Sequence, residues 1–232
     1  MKNWRWLLVG IVAVLVLLFA AIQWYVLYTP ADPVSAPPVA ETITAQEVHT
    51  MGNPKAKVTL IEYAALTCPT CAFVATHVMP DFKKRYIDTG KVFYVFRLFP
   101  IDPADGKAEK IARCLPKERY FDFVDMLYRR QGEWGPEQMG ERGPGFDEAH
   151  QPKTDAGLLK MARAANLEPE KAQSCMSSTA LDGVINAVQA DGARRYQISG
   201  TPTIVINGQI FGSVPQNVDD LAQVIDPMLE GK

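Results

Sequence analysis

Cys68 and Cys71 are separated by two residues, and this spacing permits three kinds of chemistry. The pair could ligate zinc, close a small structural disulfide or exchange electrons through a reversible disulfide. A zinc site usually needs a second close pair of ligands, but Cys114 and Cys175 are far apart and no two histidines have ligand spacing. A structural disulfide with so short a ring would constrain the unfolded chain little. The redox interpretation is therefore favoured.

The elements around the pair indicate how it could be redox active. The apolar run over residues 57–65 predicts a strand buried on both faces, and a helical pattern over 68–86 follows at once, with a kink at Pro80. Cys68 then lies at a helix N-terminus, where unpaired N–H groups and the helix dipole stabilise a thiolate. Pro69 suits the first turn because its missing N–H is not needed there. We therefore interpret Cys68 as the nucleophile and Cys71 as the more buried resolving thiol.

The remaining chain alternates strand and helix patterns. A strand over 91–99 completes a βαβ unit, and a hairpin with Asn207–Gly208 at its turn joins strands over 203–206 and 209–211. Between them and after them, helical patterns cover 111–128 with a break at Pro116, 156–165, the residues after Pro169, 181–188 and 219–229. Five glycines and three prolines predict a long loop over 131–152. An α/β fold with a helical interruption is the result.

Two motifs resemble those of the DsbA-like thiol–disulfide oxidoreductases. The first is GNPKAKVTLIEYAALTCPTC, which ends at Cys71, and the second is GTPTIVING at 200–208. The resemblance implies a thioredoxin-like fold with an inserted all-helical subdomain. It divides a DsbA-like domain over 48–232 into thioredoxin-like parts at 48–103 and 197–232 and a helical insertion at 104–196. It implies no bound cofactor and no metal.

The same resemblance assigns roles to three further residues. Pro202 would be a cis-proline beside the active-site sulfurs, and the backbone of Thr201 would pair with an extended substrate. An ordinary turn before an edge strand is the alternative. Glu62 matches a buried acid that moves protons to and from Cys71, and an exposed strand carboxylate is its alternative.

Thr70 departs from the best-known members, which have histidine at this position. Threonine offers no positive charge to a Cys68 thiolate, so we expect a milder oxidant. The departure leaves the direction of the reaction open between oxidation and reduction or isomerisation.

Cys114 and Cys175 both fall in helical segments of the expected insertion. Export to an oxidising compartment favours a structural disulfide between them, and two buried free cysteines are the alternative. The bond would close a loop of roughly 60 residues and contribute about 4 kcal/mol in the chain-entropy treatment.

An uncharged run begins at Trp6 and continues to Tyr28, which is long enough to cross a bilayer at about 20 residues per span. Lys2 and Arg5 precede it, so we expect a cytoplasmic N-terminus. Residues 1–28 are predicted to be a cytoplasmic tip and a transmembrane anchor at 6–28, and residues 29–47 a Pro/Ala-rich linker. A cleaved signal peptide is the alternative.

Together these patterns predict a single-pass protein of the bacterial inner membrane with its catalytic domain in the periplasm. We expect it to exchange disulfides with thiol- or disulfide-bearing substrate proteins and to be reset by a membrane partner, a quinone-linked oxidase or a thiol transporter. The alternatives are a reductase or isomerase and a non-redox peptide-binding chaperone. A formal net charge of −2 without a basic run predicts no nucleic-acid partner.

Overall fold

The computed structural model describes residues 49–136 and 146–231, with the backbone alone over 146–152, together with residues 16, 18, 19 and 21. Its internal contacts divide the chain into Met1–Pro37 and Pro38–Lys232. In the first unit the four described residues are helical and exposed. Among all described residues, no helix combines the length and apolar character that a membrane crossing requires. The predicted anchor and linker lie almost wholly outside the described residues and stay predictions.

A five-stranded sheet forms the centre of the second unit. Its strands are β1 His49–Gly52, β2 Val58–Ala64, β3 Val92–Leu98, β4 Thr203–Ile206 and β5 Gln209–Ile210. The spatial order is β1-β3-β2-β4-β5, in which β2 and β3 run parallel and every other neighbouring pair is antiparallel. The central position of β2 explains why the strand before Cys68 is apolar on both faces.

The two faces of β2 contribute to different hydrophobic clusters. Leu60 and Ala64 belong to the larger cluster, which the helices cover, and Ile61 belongs to a smaller cluster on the opposite face. Successive side chains of a strand point to opposite faces, so Glu62 shares the face of Leu60 and Ala64. The acid is therefore directed into the larger core, where only 3% of its surface is exposed.

Helical turns follow β2 almost without interruption. They are α1 Pro69–Phe73, a π-helical turn Val74–Val78, α2 Met79–Phe82 and a second π-helical turn Lys83–Ile87. The sequence predicted one helix with a kink at Pro80. The structure has a succession of α-helical and π-helical turns over this range, and Pro80 lies in the first turn of α2, where it needs no N–H partner.

In the described part of the segment between β3 and β4, six α-helices and a short 3-10 helix at Lys117–Arg119 form the helical insertion. The α-helices are α3 Pro103–Cys114, α4 Tyr120–Arg129, α5 Gln131–Trp134, α6 Phe146–Ala164, α7 Pro169–Met176 and α8 Thr179–Tyr196. A final helix, α9 Val218–Glu230, follows β5 and packs on the sheet. After β1, the elements follow the order βαβ, helical insertion, β-hairpin and helix, which agrees with the thioredoxin-like parts and the insertion that the resemblance implied.

Two expectations about local structure were wrong. No strand was predicted before residue 57, yet β1 pairs with β3 over its whole length. The loop predicted over 131–152 is helical at both ends, in α5 and in the first residues of α6. At its start Trp134 is 1% exposed and donates from Nε1 to the Leu127 carbonyl at 2.8 Å. This tertiary anchor outweighs the glycines that suggested a loop.

Candidate active site

Cys68 is the N-cap residue of α1, in an extended backbone conformation directly before the helix. Its Sγ accepts a hydrogen bond from the backbone N–H of Cys71, with a donor–acceptor distance of 3.4 Å. The structure therefore places the first cysteine where the sequence predicted it, at the positive end of a helix. Pro69 and Thr70, the residues between the cysteines, are both exposed at the surface.

The two thiols have opposite acidities. A hydrogen bond from the Cys71 thiol, followed by a polar contact with Thr201 and then by the backbone N–H groups of Cys71 and Thr70, outweighs partial burial and lowers the pKa of Cys68 to about 5. Cys71 is fully buried, and burial together with the hydrogen bond to Cys68 raises its pKa well above the ordinary cysteine value. Cys68 is therefore the stable thiolate, and Cys71 is the sulfur that must carry a proton when the pair is reduced.

Glu62 lies beneath the cysteine pair in the core. Burial raises the pKa of its carboxyl group to about 7, although a hydrogen bond from the Tyr94 hydroxyl at 2.7 Å opposes the rise. A negative charge on Cys68 disfavours ionisation of Glu62, and a negative charge on Glu62 disfavours ionisation of Cys71, which indicates that the acid lies close to the cysteine pair. A carboxyl group that titrates near neutral pH can both accept and release a proton.

A cavity of about 270 Å³ reaches this carboxyl group from a side formed by the sheet, α2 and α4. Glu62, Tyr94 and Tyr128 lie on its wall among mostly apolar side chains. It gives the otherwise buried acid a connection to the molecular surface.

The peptide bond between Thr201 and Pro202 is cis. The carbonyl oxygen of Thr201 lies 3.4 Å from Sγ of Cys68 and can accept a hydrogen bond from it while the thiol is protonated, so this peptide bond lies directly beside the active-site sulfur. A groove of about 430 Å³, lined by residues 196–203 and by Ile210, borders the same peptide. Ile210 is 52% exposed there, on the edge strand β5.

Cys114 and Cys175 form a disulfide that connects α3 with α7, with 6.3 Å between their Cα atoms. It lies within the helical insertion and shares no atom with the CxxC site. Cys68 and Cys71 are free thiols in the structure. In the part of the chain that the structure describes, no cluster of three histidine, cysteine or acidic side chains could hold a metal ion.

Among the described residues of the helical insertion, three form hydrogen bonds to the turn before Cys68, and the sequence analysis assigned no site role to them. They are Asp105 on α3, Tyr128 on α4 and Gln131 at the start of α5. Each forms a hydrogen bond to the turn that leads into Cys68. Their only sequence signal is polarity within a helical pattern, which does not distinguish them from solvent-exposed residues.

Comparison with protein families matches a model described as thioredoxin to residues 44–227. The chain belongs to this thioredoxin family. Among relatives, a Rickettsia conorii protein named as a protein-disulfide oxidoreductase is 28% identical over 78% of this chain and 60% of its own length. Disulfide bond formation protein D of Bacillus subtilis is 25% identical over 87% of this chain and 83% of its own length. The chain thus spans about three fifths of the length of the rickettsial relatives.

Solved structures include a similar fold. The crystal structure of Wolbachia pipientis alpha-DsbA1 has a TM-score of 0.67 and 26% identity, and the match covers 79% of this chain and 92% of that one. BdbD from Bacillus subtilis, at 20% identity and a TM-score of 0.66, has the same fold. The expected thioredoxin-like fold with a helical insertion is confirmed, and so is the resemblance of this thioredoxin-family chain to DsbA-like proteins.

Proposed function

We propose that this protein is an extracytoplasmic thiol–disulfide oxidoreductase that passes a disulfide from Cys68 and Cys71 to substrate proteins, as a mild oxidase. The observation that carries the proposal is the contrast between the two thiols, with a lowered pKa at Cys68 and a raised pKa at Cys71. A sulfur that is stable as a thiolate is a good leaving group in disulfide exchange. Its stability also favours the reduced form of the pair, which makes the disulfide oxidising.

The reaction begins from the Cys68–Cys71 disulfide. A substrate thiolate attacks Sγ of Cys68, the bond between the two cysteines breaks, and its electron pair goes to Sγ of Cys71. A second substrate thiolate then attacks the substrate sulfur of the mixed disulfide, and Cys68 leaves as a thiolate. Two electrons have moved from the substrate to the cysteine pair, and the substrate has gained a disulfide.

Glu62 would supply the proton that Cys71 needs in the first step. The Cys71 thiolate is disfavoured by burial, so its departure is easier when a nearby acid protonates it. Glu62 has a pKa of about 7 and a cavity that leads toward the surface, which suits a group that must be reprotonated after each turnover.

The groove beside Pro202 would hold the substrate. The backbone of Thr201 borders both Cys68 and the groove, so an extended peptide paired there would present its cysteine to Cys68. Thr70 lacks the charge that would further stabilise the thiolate, and it favours a potential below that of a strong oxidant. It is also the observation that keeps a reductase or isomerase role as the second candidate.

The test is oxidation of a reduced model protein with two thiols by the purified, oxidised full-length chain. We expect loss of substrate thiols with the wild type and none with Cys68→Ser. Cys71→Ser cannot form the disulfide, so it is also expected to oxidise none of the reduced substrate. Mixed instead with a disulfide-bonded model protein, it is expected to accumulate a mixed disulfide, because the Cys68 thiolate attacks the substrate disulfide, one substrate thiolate leaves, and no Cys71 thiol resolves the product. Equal oxidation by the Cys68→Ser protein would show that the pair does not carry the reaction.

We further propose that residues 6–28 anchor the protein in the bacterial inner membrane, with the catalytic domain on the outer side. The uncharged run and the preceding basic residues support this arrangement. A membrane partner, a quinone-linked oxidase or a thiol transporter, would then reset the pair. Protease added to intact spheroplasts is expected to release the domain by cutting within residues 29–40. A mature chain that begins near Ala40 without protease would establish a cleaved signal peptide instead.

A further inference from the structure

The turn over residues 65–68 connects β2 to α1 and carries the nucleophilic cysteine. It is closed by a hydrogen bond from the Cys68 backbone N–H to the Ala65 carbonyl at 3.2 Å. The orientation of Cys68 therefore depends on how firmly the backbone of this turn is fixed. The side chains that form hydrogen bonds to this backbone come from another part of the fold, the helical insertion.

Two of these groups are deeply buried. The Asp105 carboxylate accepts hydrogen bonds from the Thr67 backbone N–H at 2.7 Å and from the Thr67 hydroxyl at 3.1 Å. The Tyr128 hydroxyl donates to the Ala65 carbonyl at 3.4 Å. Asp105 also accepts from backbone N–H groups near its own helix start, so its removal would disturb more than the turn.

Gln131 is the third group, and it is half-buried at the edge of the site. Its side-chain amide donates to the Leu66 carbonyl at 2.7 Å and to the Cys68 carbonyl at 3.1 Å. The Cys68 carbonyl also accepts the first helical hydrogen bond, from the Ala72 N–H at 3.0 Å. The side-chain amide of Gln131 thus binds two backbone carbonyl groups, that of Cys68 itself and that of Leu66, two residues before it.

We propose that Gln131 is a positioning residue for Cys68, which keeps its Sγ aligned with the N–H groups at the start of α1 in the dithiol state. In the disulfide state the bond to Cys71 itself restrains Cys68, so the amide contributes less there. In the dithiol state this covalent restraint is gone, and rotation of the Cys68 peptide would carry Sγ away from the Cys71 N–H. The amide resists this rotation by fixing the two carbonyl groups.

The inference deepens the proposed function and rests on it, since it concerns the same thiol pair. It predicts an effect that depends on the redox state. A residue that only stabilised the fold would contribute equally to the disulfide and dithiol forms, and it would leave the acidity and the potential of the pair unchanged.

The decisive variants are Gln131→Ala and Gln131→Glu in the full-length chain. The alanine removes both donors, and we expect it to shift the Cys68 thiol–thiolate equilibrium about three- to tenfold toward the thiol, which is about 0.5–1 in pKa. The equilibrium with glutathione would move by the same factor toward the disulfide form, about 15 to 30 mV lower at roughly 30 mV per tenfold. The glutamate keeps the shape and adds a negative charge, so it is expected to raise the pKa of Cys68 further.

Gln189→Ala is the matched control. Gln189 is also a half-buried glutamine of the insertion, and its amide donates to a backbone carbonyl, that of Pro100 at 3.1 Å. Among the hydrogen bonds of the described residues, none joins the Gln189 side chain to the turn over 65–68. We expect this variant to leave the acidity of Cys68 and the glutathione equilibrium unchanged.

Thiolate absorbance near 240 nm against pH, glutathione equilibration and urea unfolding of both redox forms are measured for each protein. Support is a shift in acidity and potential in the Gln131 variants together with a larger loss of stability in the dithiol form. An equal loss of stability in both forms with unchanged acidity would overturn the inference while leaving the proposed function intact. A wild-type protein that exchanges no disulfides would overturn the proposed function itself. If the alanine variant does not fold, Gln131→Met, which removes both donors at similar length without adding a charge, provides the same comparison.

Discussion

Cys68, Cys71 and Cys175 are buried and Cys114 is half-buried, yet the CxxC pair and the Cys114–Cys175 pair lie at opposite ends of helices. Cys68 caps the N-terminus of α1, whereas Cys114 is the last residue of α3 and Cys175 lies in the last turn of α7. The helix dipole stabilises a thiolate at the N-terminal end and disfavours one at the C-terminal end.

The comparison shows that burial does not decide which pair reacts. Cys68 is 4% exposed and Cys175 is 3% exposed, so access alone separates them little. What differs is the supply of hydrogen-bond donors to the sulfur and the presence of an acid beneath the pair. Cys68 has N–H donors and Cys71 has Glu62 nearby, and the helix ends at Cys114 and Cys175 present carbonyl groups instead. These differences favour disulfide exchange at the Cys68–Cys71 pair and an unreactive disulfide at the Cys114–Cys175 pair.

The largest effect on stability is expected from removing the Cys114–Cys175 disulfide. The double variant Cys114→Ser and Cys175→Ser loses a cross-link over a separation of 61 residues, which corresponds to about 4 kcal/mol in the chain-entropy treatment. We expect urea unfolding to report a loss of roughly this size. The glutathione equilibrium of the Cys68–Cys71 pair should stay at its wild-type value.

A second measurement on the wild type sharpens this result. Alkylation after mild dithiothreitol is expected to label Cys68 and Cys71 and to leave Cys114 joined to Cys175, because that disulfide lacks a stabilised thiolate leaving group. Simultaneous labelling of all four cysteines would remove the distinction between the pairs.

Much of this contrast is visible in the sequence. The apolar run of β2, the proline after Cys68 and the CxxC spacing together predict a cysteine at a helix N-terminus, and the structure has this arrangement. Such features are readable because they depend on residues adjacent in the chain. The TPT segment at 201–203 was readable only through the resemblance to a family.

The parts that the sequence analysis missed depend on distant contacts. Gln131 is 63 residues from Cys68, and its role exists only because α5 packs against the active-site turn. β1 has four residues, one of them a glycine, which is too short for a strand pattern, and its pairing with β3 makes it a strand. In both cases tertiary contact, rather than local preference, determines the outcome.

The next largest effect on stability is expected from Glu62, the buried acid near Cys68 and Cys71. Burial raises the pKa of Glu62 in the folded protein to about 7, compared with about 4.5 for an exposed glutamate. Its contribution to folding is therefore fully present below pH 4.5 and is lost as the pH rises through 7. Replacing it by glutamine removes this dependence. We expect Glu62→Gln to gain stability relative to the wild type by about 3 kcal/mol between pH 4.5 and pH 8.

Urea unfolding of the reduced proteins across this pH range measures the gain. The Cys114→Ser and Cys175→Ser double variant, in which Glu62 is intact, serves as the control and should keep the wild-type pH profile at lower stability. Since Glu62 would also protonate Cys71, its glutamine variant should exchange disulfides more slowly. A difference between Glu62→Gln and wild type that does not vary with pH would mean that Glu62 ionises like an exposed carboxylate.

The smallest effect is expected from replacing Thr70, the residue before Cys71, and it concerns the reduction potential of the Cys68–Cys71 pair. Thr70 is exposed beside Cys68 and carries no charge, so a histidine there would add a cation close to the thiolate without disturbing the core. The reduction potential of the wild type is expected between about −270 and −120 mV, the values of a thioredoxin and of a strong oxidant. Thr70→His should raise it by about 30 mV for each tenfold stabilisation of the thiolate. The rise should be larger at pH 6 than at pH 8, because an imidazole with an ordinary pKa near 6.5 loses its charge in between.

Thr70→Asn, polar but uncharged, is the control and should leave the potential near the wild-type value. A downward shift, or an equal shift with asparagine, would show that charge at position 70 does not set the potential of the pair.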